Sequence, residues 1–198
     1  MHRPPANERE VVRAGIADEG LVEAMVAYQR GNMEAFETLY AAFGSSLKGY
    51  LRTLARDSGV AEDLLQETFL QLHRVRHTYQ PRRPVKPWVY AIARNVFLMN
   101  RRAAHRRGRH EAIADEALPE VPVPPEIEGL GDRETVQKVL ARLPDARREA
   151  VVLHHMLGMS FKEVGAVLGI SEGAAKVRAH RALVELREAM GVPGAGRE

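Results

Sequence analysis

The stretch SFKEVGAVLGISEGAAKVR, residues 160–178, decides the fold of the C-terminal part of this chain. Ser160 and Glu163 have the spacing of a capping box, which predicts the start of a helix. Gly169 is placed to end that helix in the left-handed conformation, and Ser171 is placed to cap the next one. The stretch therefore predicts a helix-turn-helix, whose second helix fits the major groove of DNA.

The second helix of this motif should have one face on the domain and one face free for a partner. Gly165 and Ala166 are small enough to let the two helices approach. The residues expected to seat the second helix are Ile170, Ala174, Val177 and Leu183. The residues expected on the free face are Glu172, Gly173, Lys176, Arg178 and Arg181. Taken alone, the stretch also fits an ordinary helical hairpin with a glycine turn.

Helical periodicity continues through the rest of the chain, without β-hairpin signals. The pattern predicts an all-α fold: two small helical domains joined by a flexible acidic linker, the second a four-helix domain with the helix-turn-helix. The predicted boundaries are an N-terminal extension 1–20, a first domain 21–110, a linker 111–131, a second domain 132–190 and a tail 191–198.

Local signals predict the helix ends of the first domain. Asn32 is a plausible N-cap for a helix whose apolar row begins at Phe36. The tripeptide at 57–59 predicts a break, followed by a helix over 60–77 with two carboxylates in its first turn. Three prolines within 79–87 predict a loop before a fourth helix.

Charge is distributed unevenly along the 198 residues, although the formal net charge is only +3. Residues 71–110 hold 11 basic and no acidic side chains, whereas residues 111–134 hold 8 acidic and 1 basic. A stretch of forty residues without a carboxylate indicates a polyanionic partner.

Composition excludes several classes of protein. There are no cysteines, which rules out a disulfide scaffold and zinc sites with thiolate ligands. The apolar runs are too short for a membrane span, and no early stretch reads as a secretory signal. We therefore expect a cytoplasmic protein that is not inserted into a membrane.

Aromatic residues are interleaved with the cations of residues 79–109. Aromatic faces stack on unpaired bases while cations follow the phosphates, so this composition is typical of surfaces that hold melted nucleic acid. The alternative for Trp88 and Phe97 is that they are ordinary core residues. The helix over 61–72 is amphipathic and acidic, and by itself it reads as a surface helix.

Together these segments resemble a bacterial RNA polymerase sigma factor of the sigma-70 family, extracytoplasmic-function (ECF) group. The segment AEDLLQETF (61–69) resembles the family's helix for binding core polymerase, and PWVYAIARN (87–95) resembles its −10 recognition and melting helix. An acidic linker follows, and residues 143–186 resemble the −35-binding domain. Family members commonly carry Asp where this chain has Met99, which bears on promoter preference.

The resemblance implies a role for each matching position. The residues implied in binding core polymerase are Asp63, Leu64, Gln66, Glu67, Phe69 and Leu70. Those implied at the −10 element are Arg82, Arg83, Lys86, Trp88, Tyr90, Arg94, Asn95, Arg101, Arg102 and Arg106, with the loop 79–86 capturing a base flipped from the non-template strand. Those implied at the −35 element are Ser171, Glu172, Lys176, Arg178 and Arg181.

The partners implied are core RNA polymerase, promoter DNA and an anti-sigma factor. A sigma factor is not itself a catalyst, so we expect no catalytic residue, no metal site and no cofactor. Two alternatives remain open. One is a helix-turn-helix transcription regulator that is not a sigma subunit. The other is a small enzyme acting on nucleic acid, for which His73 with His77, and His154 with His155, are the suggestive pairs.

Overall fold

The structure is a computed structural model that describes residues 19–106 and 133–191, and within these ranges it contains helices and turns but no strands. The whole predicted linker, and all of the predicted extension and tail except residues 19–20 and 191, lie outside the described residues. The helices are α1 (19–29), α2 (Glu34–Ala55), α3 (Ser58–Val75), α4 (Val85–Arg106), α5 (Arg133–Arg142), α6 (Asp145–Val151), α7 (Phe161–Leu168) and α8 (Glu172–Ala189). A 3₁₀ turn, Arg76–Thr78, follows α3, and a π-helical turn, Val152–Met156, follows α6.

Side-chain caps begin several helices at the positions that the sequence indicates. Asn32 Oδ1 accepts the backbone N–H groups of Glu34 and Ala35, at 2.9 and 3.2 Å. The capping box is present: Ser160 N–H donates to Glu163 Oε2 at 2.7 Å, and Glu163 N–H donates to Ser160 Oγ at 3.3 Å. These polar contacts satisfy backbone groups that the helices leave unpaired at their ends.

The predicted break at residues 57–59 is wrong in detail. Asp57 is the N-cap of α3, and its carboxylate accepts the N–H of Val60 at 2.8 Å. The helix therefore begins at Ser58, and Glu62 and Asp63 fall beyond its first turn. The cap made by Asp57 stabilises a helix start at Ser58, and this outweighs the tendency of Ser58 and Gly59 to form a turn.

The N-terminal bundle is formed by α2, α3 and α4, which contact one another pairwise, with α1 alongside. Its centre contains leucines from α2 and α3, including Leu39, Leu51 and Leu72, all inaccessible to solvent. In the C-terminal bundle, α8 packs against α5, α6 and α7. The confirmed architecture is all-α with a four-helix second domain.

The buried face of α8 differs from the predicted one. Ala175, Ala179, Ala182 and Leu186 are completely buried, whereas Val177 is 49% exposed. The prediction rests on the expectation that the larger apolar side chains of α8 face the core. The helix instead seats on its alanines, because small side chains allow α7 to come close. Ile170 and Leu183 are partly buried and pack against the core, and Ala174 is also partly buried, so Val177 is the predicted seating residue that the structure contradicts.

Gly165 lies at a close approach of backbone in the helix-turn-helix, whereas Ala166 is exposed and does not take part in it. A Cβ atom built there would lie 2.8 Å from the backbone oxygen of Ile170, and backbone cannot move aside as a flexible side chain can. Gly169 ends α7 with φ of 67°, in the left-handed region that glycine adopts without strain. These two glycines therefore set the angle of the motif.

We expect Gly165→Ala to destabilise the C-terminal domain by about 1–3 kcal/mol, because the added methyl overpacks a site bounded by backbone. Gly173→Ala is the matched control, since a Cβ there meets nothing within 4 Å; it should be neutral or stabilising by up to about 1 kcal/mol. Denaturation followed by circular dichroism measures both. Equal unfolding midpoints for the two variants would contradict this explanation.

Candidate functional site

The outer face of α3 presents a mixed acidic and apolar surface. Asp63, Gln66 and Glu67 are exposed, and Leu70 is 53% exposed. Arg74 lies 3.4 Å from Glu67 on the same face. We call Asp63, Gln66, Glu67 and Leu70 the α3 surface. Four of the six residues implied in binding polymerase are therefore brought together where a partner can reach them.

The other two implied residues, Leu64 and Phe69, are buried, with exposures of 2% and 6%. Their side chains support the α3 surface from below, and the expectation that they contact a partner directly does not fit this structure. Both lie on the bundle face of α3 because their positions follow the row that packs against α2 and α4.

Tyr40 of α2 belongs to the apolar row that begins at Phe36, for which helical spacing predicts burial, but it is 49% exposed. Its ring lies 4.7 Å from that of Phe69, centroid to centroid, and Phe36 meets Phe69 edge-on at 5.8 Å. Tyr40 thus adds apolar area beside the α3 surface. The ring contacts of Tyr40 with Phe36 and Phe69 identify it as part of this surface, which its helical spacing alone does not.

Exposed cations line α4 and the loop before it. Arg82 and Arg83 are exposed in the loop, and Asn95, Arg101, Arg102 and Arg106 are exposed on the helix. Among the other implied −10 residues, Lys86, Trp88 and Arg94 are half-buried and Tyr90 is buried. It is completely buried against Tyr50, and burial raises its pKa to about 12. The expectation that Tyr90 contacts DNA is therefore wrong for this conformation.

The loop before α4 is held in place from both sides. The hydroxyl of Tyr79 donates to Arg83 O at 2.5 Å, and its ring lies 5.2 Å from the half-buried ring of Trp88. Gln29 Nε2 donates to the carbonyl oxygens of Arg76 and Tyr79, at 2.6 and 3.0 Å. An open cavity of about 410 Å³ lies beside the loop. It is lined by Glu19, Val22, Glu23, Pro81, Arg82, Arg83 and Pro84.

The two bundles meet where α4 packs against α7. At this junction Arg94 Nε donates to Glu149 Oε2 at 2.6 Å, and the two side chains are only 21% and 7% exposed. Lys86 Nζ donates to the carbonyl oxygen of Leu157. The buried hydroxyl of Tyr50 lies nearby; burial raises its pKa well above the usual value, and Glu149 adds to the effect.

Asp145, the first residue of α6, forms a second contact between the bundles. Its carboxylate accepts from the buried Arg148 at 2.6 Å and from Arg101 of α4 at 3.3 Å, and it lies 3.8 Å from Arg56. Arg56 also donates to Ala141 O at 3.0 Å. Three cations of the N-terminal bundle that could hold a polyanion, including Arg94, are therefore paired with carboxylates of the C-terminal bundle.

The second helix of the motif, α8, is capped as predicted. Ser171 Oγ accepts the N–H of Ala174 at 3.2 Å. Glu172, Lys176 and Arg181 are exposed, whereas Arg178 is half-buried at the edge of the exposed face. Val177 occupies the middle of that face, where the sequence placed no functional residue. The spacing of the buried alanines is the signal that could have found it.

One histidine of each suggestive pair has a hydrogen-bond partner. His73 Nδ1 shares a 2.6 Å hydrogen bond with the Tyr28 hydroxyl, and His154 Nδ1 donates to Met159 O at 2.7 Å. No group of three potential metal ligands occurs among the described residues. In the same ranges, every helix is too short or too polar to cross a membrane.

Two family models match the chain. The model described as Sigma-70 region 2 matches residues 39–107, and the model described as Sigma-70, region 4 matches residues 133–186. The first therefore spans the α3 surface and α4, and the second spans the helix-turn-helix.

The chain is also similar to named relatives over most of its length. It is 40% identical over 171 residues to the RNA polymerase sigma factor CarQ of Myxococcus xanthus, covering 84% of this chain and 95% of the relative. It is 34% identical over 163 residues to the ECF RNA polymerase sigma factor SigF of Caulobacter vibrioides, covering 81% and 88%.

Solved structures share the fold. The structure of CnrH in complex with the cytosolic domain of CnrY matches with a TM-score of 0.62 and 27% identity, covering 88% of this chain and 97% of that one. The sigma factor RpoE from Bartonella quintana, solved with the anti-sigma factor NepR, matches with a TM-score of 0.65 and 24% identity, covering 79% and 97%. With both family models matched in order, the chain belongs to the sigma-70 family and is an ECF RNA polymerase sigma factor.

Proposed function

We propose that this sigma factor divides its work between its two bundles, with residues 21–110 binding core polymerase and the −10 element and residues 132–190 binding the −35 element. The observation that carries the proposal is the basic segment 71–110, which has no acidic residue and exposes Arg101, Arg102 and Arg106 along α4. The polymerase forms the phosphodiester bonds, so the chain acts through binding energy and not as an enzyme. Its place of action is the cytoplasm, where the polymerase and promoter are.

Core polymerase docks on the α3 surface. Asp63 and Glu67 supply negative charge that selects a basic partner, and Leu70 supplies apolar area that is desolvated on binding. Tyr40 extends that apolar area on α2. Leu64 and Phe69 keep the helix in position from inside the bundle.

The −10 element binds along the loop and α4. Arg82, Arg83, Arg101, Arg102 and Arg106 meet phosphates, while Asn95 can donate and accept hydrogen bonds at base edges. Trp88 provides an aromatic face for an unstacked base. The open cavity beside the loop takes the extruded base, and Arg82 and Arg83 among its lining residues can donate to it.

The −35 element binds along α8. Lys176, Arg178 and Arg181 supply positive charge for the duplex, and Glu172 can accept from a cytosine amino group. Ser171 fixes the first turn through its cap, so that backbone N–H groups of the helix start can meet a phosphate.

Promoter DNA competes with the C-terminal bundle for the same cations. Arg94 and Arg101 face carboxylates of Glu149 and Asp145 in the described arrangement. Phosphate oxygens offer the same chemistry as carboxylate oxygens, so DNA can replace them once the bundles separate. We call the described arrangement, in which Arg94 and Arg101 pair with the C-terminal bundle, the closed arrangement, and we call the exposed residues of α4 and the loop before it, with these two arginines, the −10 surface. An anti-sigma factor that stabilises the closed arrangement would keep Arg94 and Arg101 from promoter DNA. The similarity to CnrH, which was solved with the cytosolic domain of CnrY, supports such a partner.

Runoff transcription tests the proposed function directly. Core polymerase supplemented with this chain should start at specific sites in a promoter library, and the active promoters should share two sequence elements. A regulator that is not a sigma subunit would confer no specific start on core polymerase. Mutating either shared element alone should reduce initiation.

Leu70→Lys should weaken binding to core polymerase at least about tenfold, because it removes apolar area from the α3 surface and puts a positive charge where a basic partner is proposed to dock. Thr38→Lys, also exposed on a helix of the same bundle, is the matched control. Fluorescence titration with core polymerase measures both affinities. Equal affinities for the two variants, with unchanged thermal unfolding, would argue against docking through α3.

Trp88→Ala should impair promoter opening by about 1–3 kcal/mol, the contribution of an aromatic side chain stacked on one base. Binding to duplex −35 DNA should be unchanged, and Trp88→Phe should keep most of the opening activity. A fluorescent base analogue at the −10 element reports opening. Equal losses in opening and in −35 binding would contradict the division of labour.

Glu149→Ala should increase the affinity of the free chain for single-stranded −10 DNA by about tenfold. A hydrogen bond between charged groups contributes about 1.5–3 kcal/mol, reduced here by the partial exposure of Arg94. Small-angle scattering should show a larger radius of gyration. Glu188→Ala, an exposed carboxylate of α8, is the control; if it gives the same increase, a general change in charge is responsible.

A further inference from the structure

Val177 lies at the centre of the face of α8 that points away from the protein. It is two residues from both Ala175 and Ala179, which are completely buried, and each residue turns the helix by about 100°. The Val177 side chain therefore projects roughly opposite to the buried stripe. Its exposure of 49% confirms this direction.

The neighbours of Val177 leave its methyl groups accessible. Gly173, one turn earlier on the same face, has no side chain, and a Cβ there would meet nothing within 4 Å. Lys176 and Arg178 stand about 100° to either side. When the helix enters a groove, these two cations face the flanking phosphate backbones, and Val177 faces the base edges between them.

A single exposed valine is common on protein surfaces and would carry no conclusion by itself. The position of this one limits what it can recognise. Valine has no hydrogen-bonding group, so it cannot distinguish bases by their donors and acceptors. The apolar group on the major-groove edges of the four bases is the C5 methyl of thymine.

We propose that Val177 is a specificity-determining residue that contacts the C5 methyl group of a thymine in the −35 element. The proposal rests on the proposed binding of α8 in the major groove at that element. It adds a base contact to the phosphate contacts proposed for the neighbouring cations, of which Arg178 is half-buried at the edge of the face.

The test removes the methyl group from the DNA and the valine from the protein in turn. The holoenzyme is assembled from core polymerase and the full chain, and a promoter found by runoff transcription supplies the −35 duplex. Each thymine of both strands is replaced singly by deoxyuridine, which lacks only the C5 methyl. For the wild-type protein, one replacement should weaken binding about three- to fivefold, the effect of one buried methyl group.

Val177→Ser should make thymine and deoxyuridine equivalent at that position, and Val177→Thr, which keeps one methyl, should give an intermediate ratio. Val184→Ser is the matched control. Val184 is 37% exposed on the same face two turns further along, and its variant should keep the wild-type ratio.

Two results would overturn the proposal while leaving the proposed function intact: no thymine of a recognised −35 element being sensitive to its methyl group, or Val177→Ser leaving the sensitivity unchanged. A holoenzyme that shows no preference for any −35 sequence would contradict the proposed function itself. The variants should unfold at the wild-type midpoint, because Val177 contributes little to the core.

Discussion

The ion pair between Arg94 and Glu149 is the interaction on which the described arrangement of this sigma factor depends. It joins the two helical bundles through residues that lie 55 positions apart in the chain, and the Glu149 side chain is only 7% exposed. A charge so placed needs a partner, because an unpaired buried carboxylate is costly. The closed arrangement satisfies Glu149 with a cation of the −10 surface. Any state that frees Arg94 for DNA must therefore return Glu149 to water or supply it with another cation.

This constraint explains why the small net charge of the chain is uninformative. The value of +3 is the sum of a basic segment at 71–110 and an acidic one directly after it. Within the described residues, the basic segment meets carboxylates of the C-terminal bundle at Glu149 and Asp145. Promoter phosphates would meet the same arginines. The protein therefore has a surface with two alternative anionic partners, and the balance between them depends on how firmly the bundles are held together.

Much of the fold could be predicted from the sequence, because its signals are local. The capping box at Ser160 and the left-handed Gly169 act over one helical turn, and both are present. It was harder to predict which side chains of a helix face the interior. Leu64, Phe69 and Tyr90 belong to motifs that match the family, but their burial depends on which helices cover them. Val177 was missed because apolar residues were assumed to seat α8, whereas alanines do. The Arg94 pair joins distant segments, and no periodicity in one segment reveals the partner in another.

The most direct test follows the separation of the two bundles. The chain has no cysteine, so two introduced cysteines, at the exposed positions Arg30 and Glu188, can carry the only spin labels. Pulsed electron paramagnetic resonance then gives the distance between the bundles in the free chain and in the complex with core polymerase and promoter. We predict one narrow distribution for the free chain and a clearly different distribution in the complex, where Arg94 has exchanged Glu149 for DNA. The same distribution in both states would contradict the account.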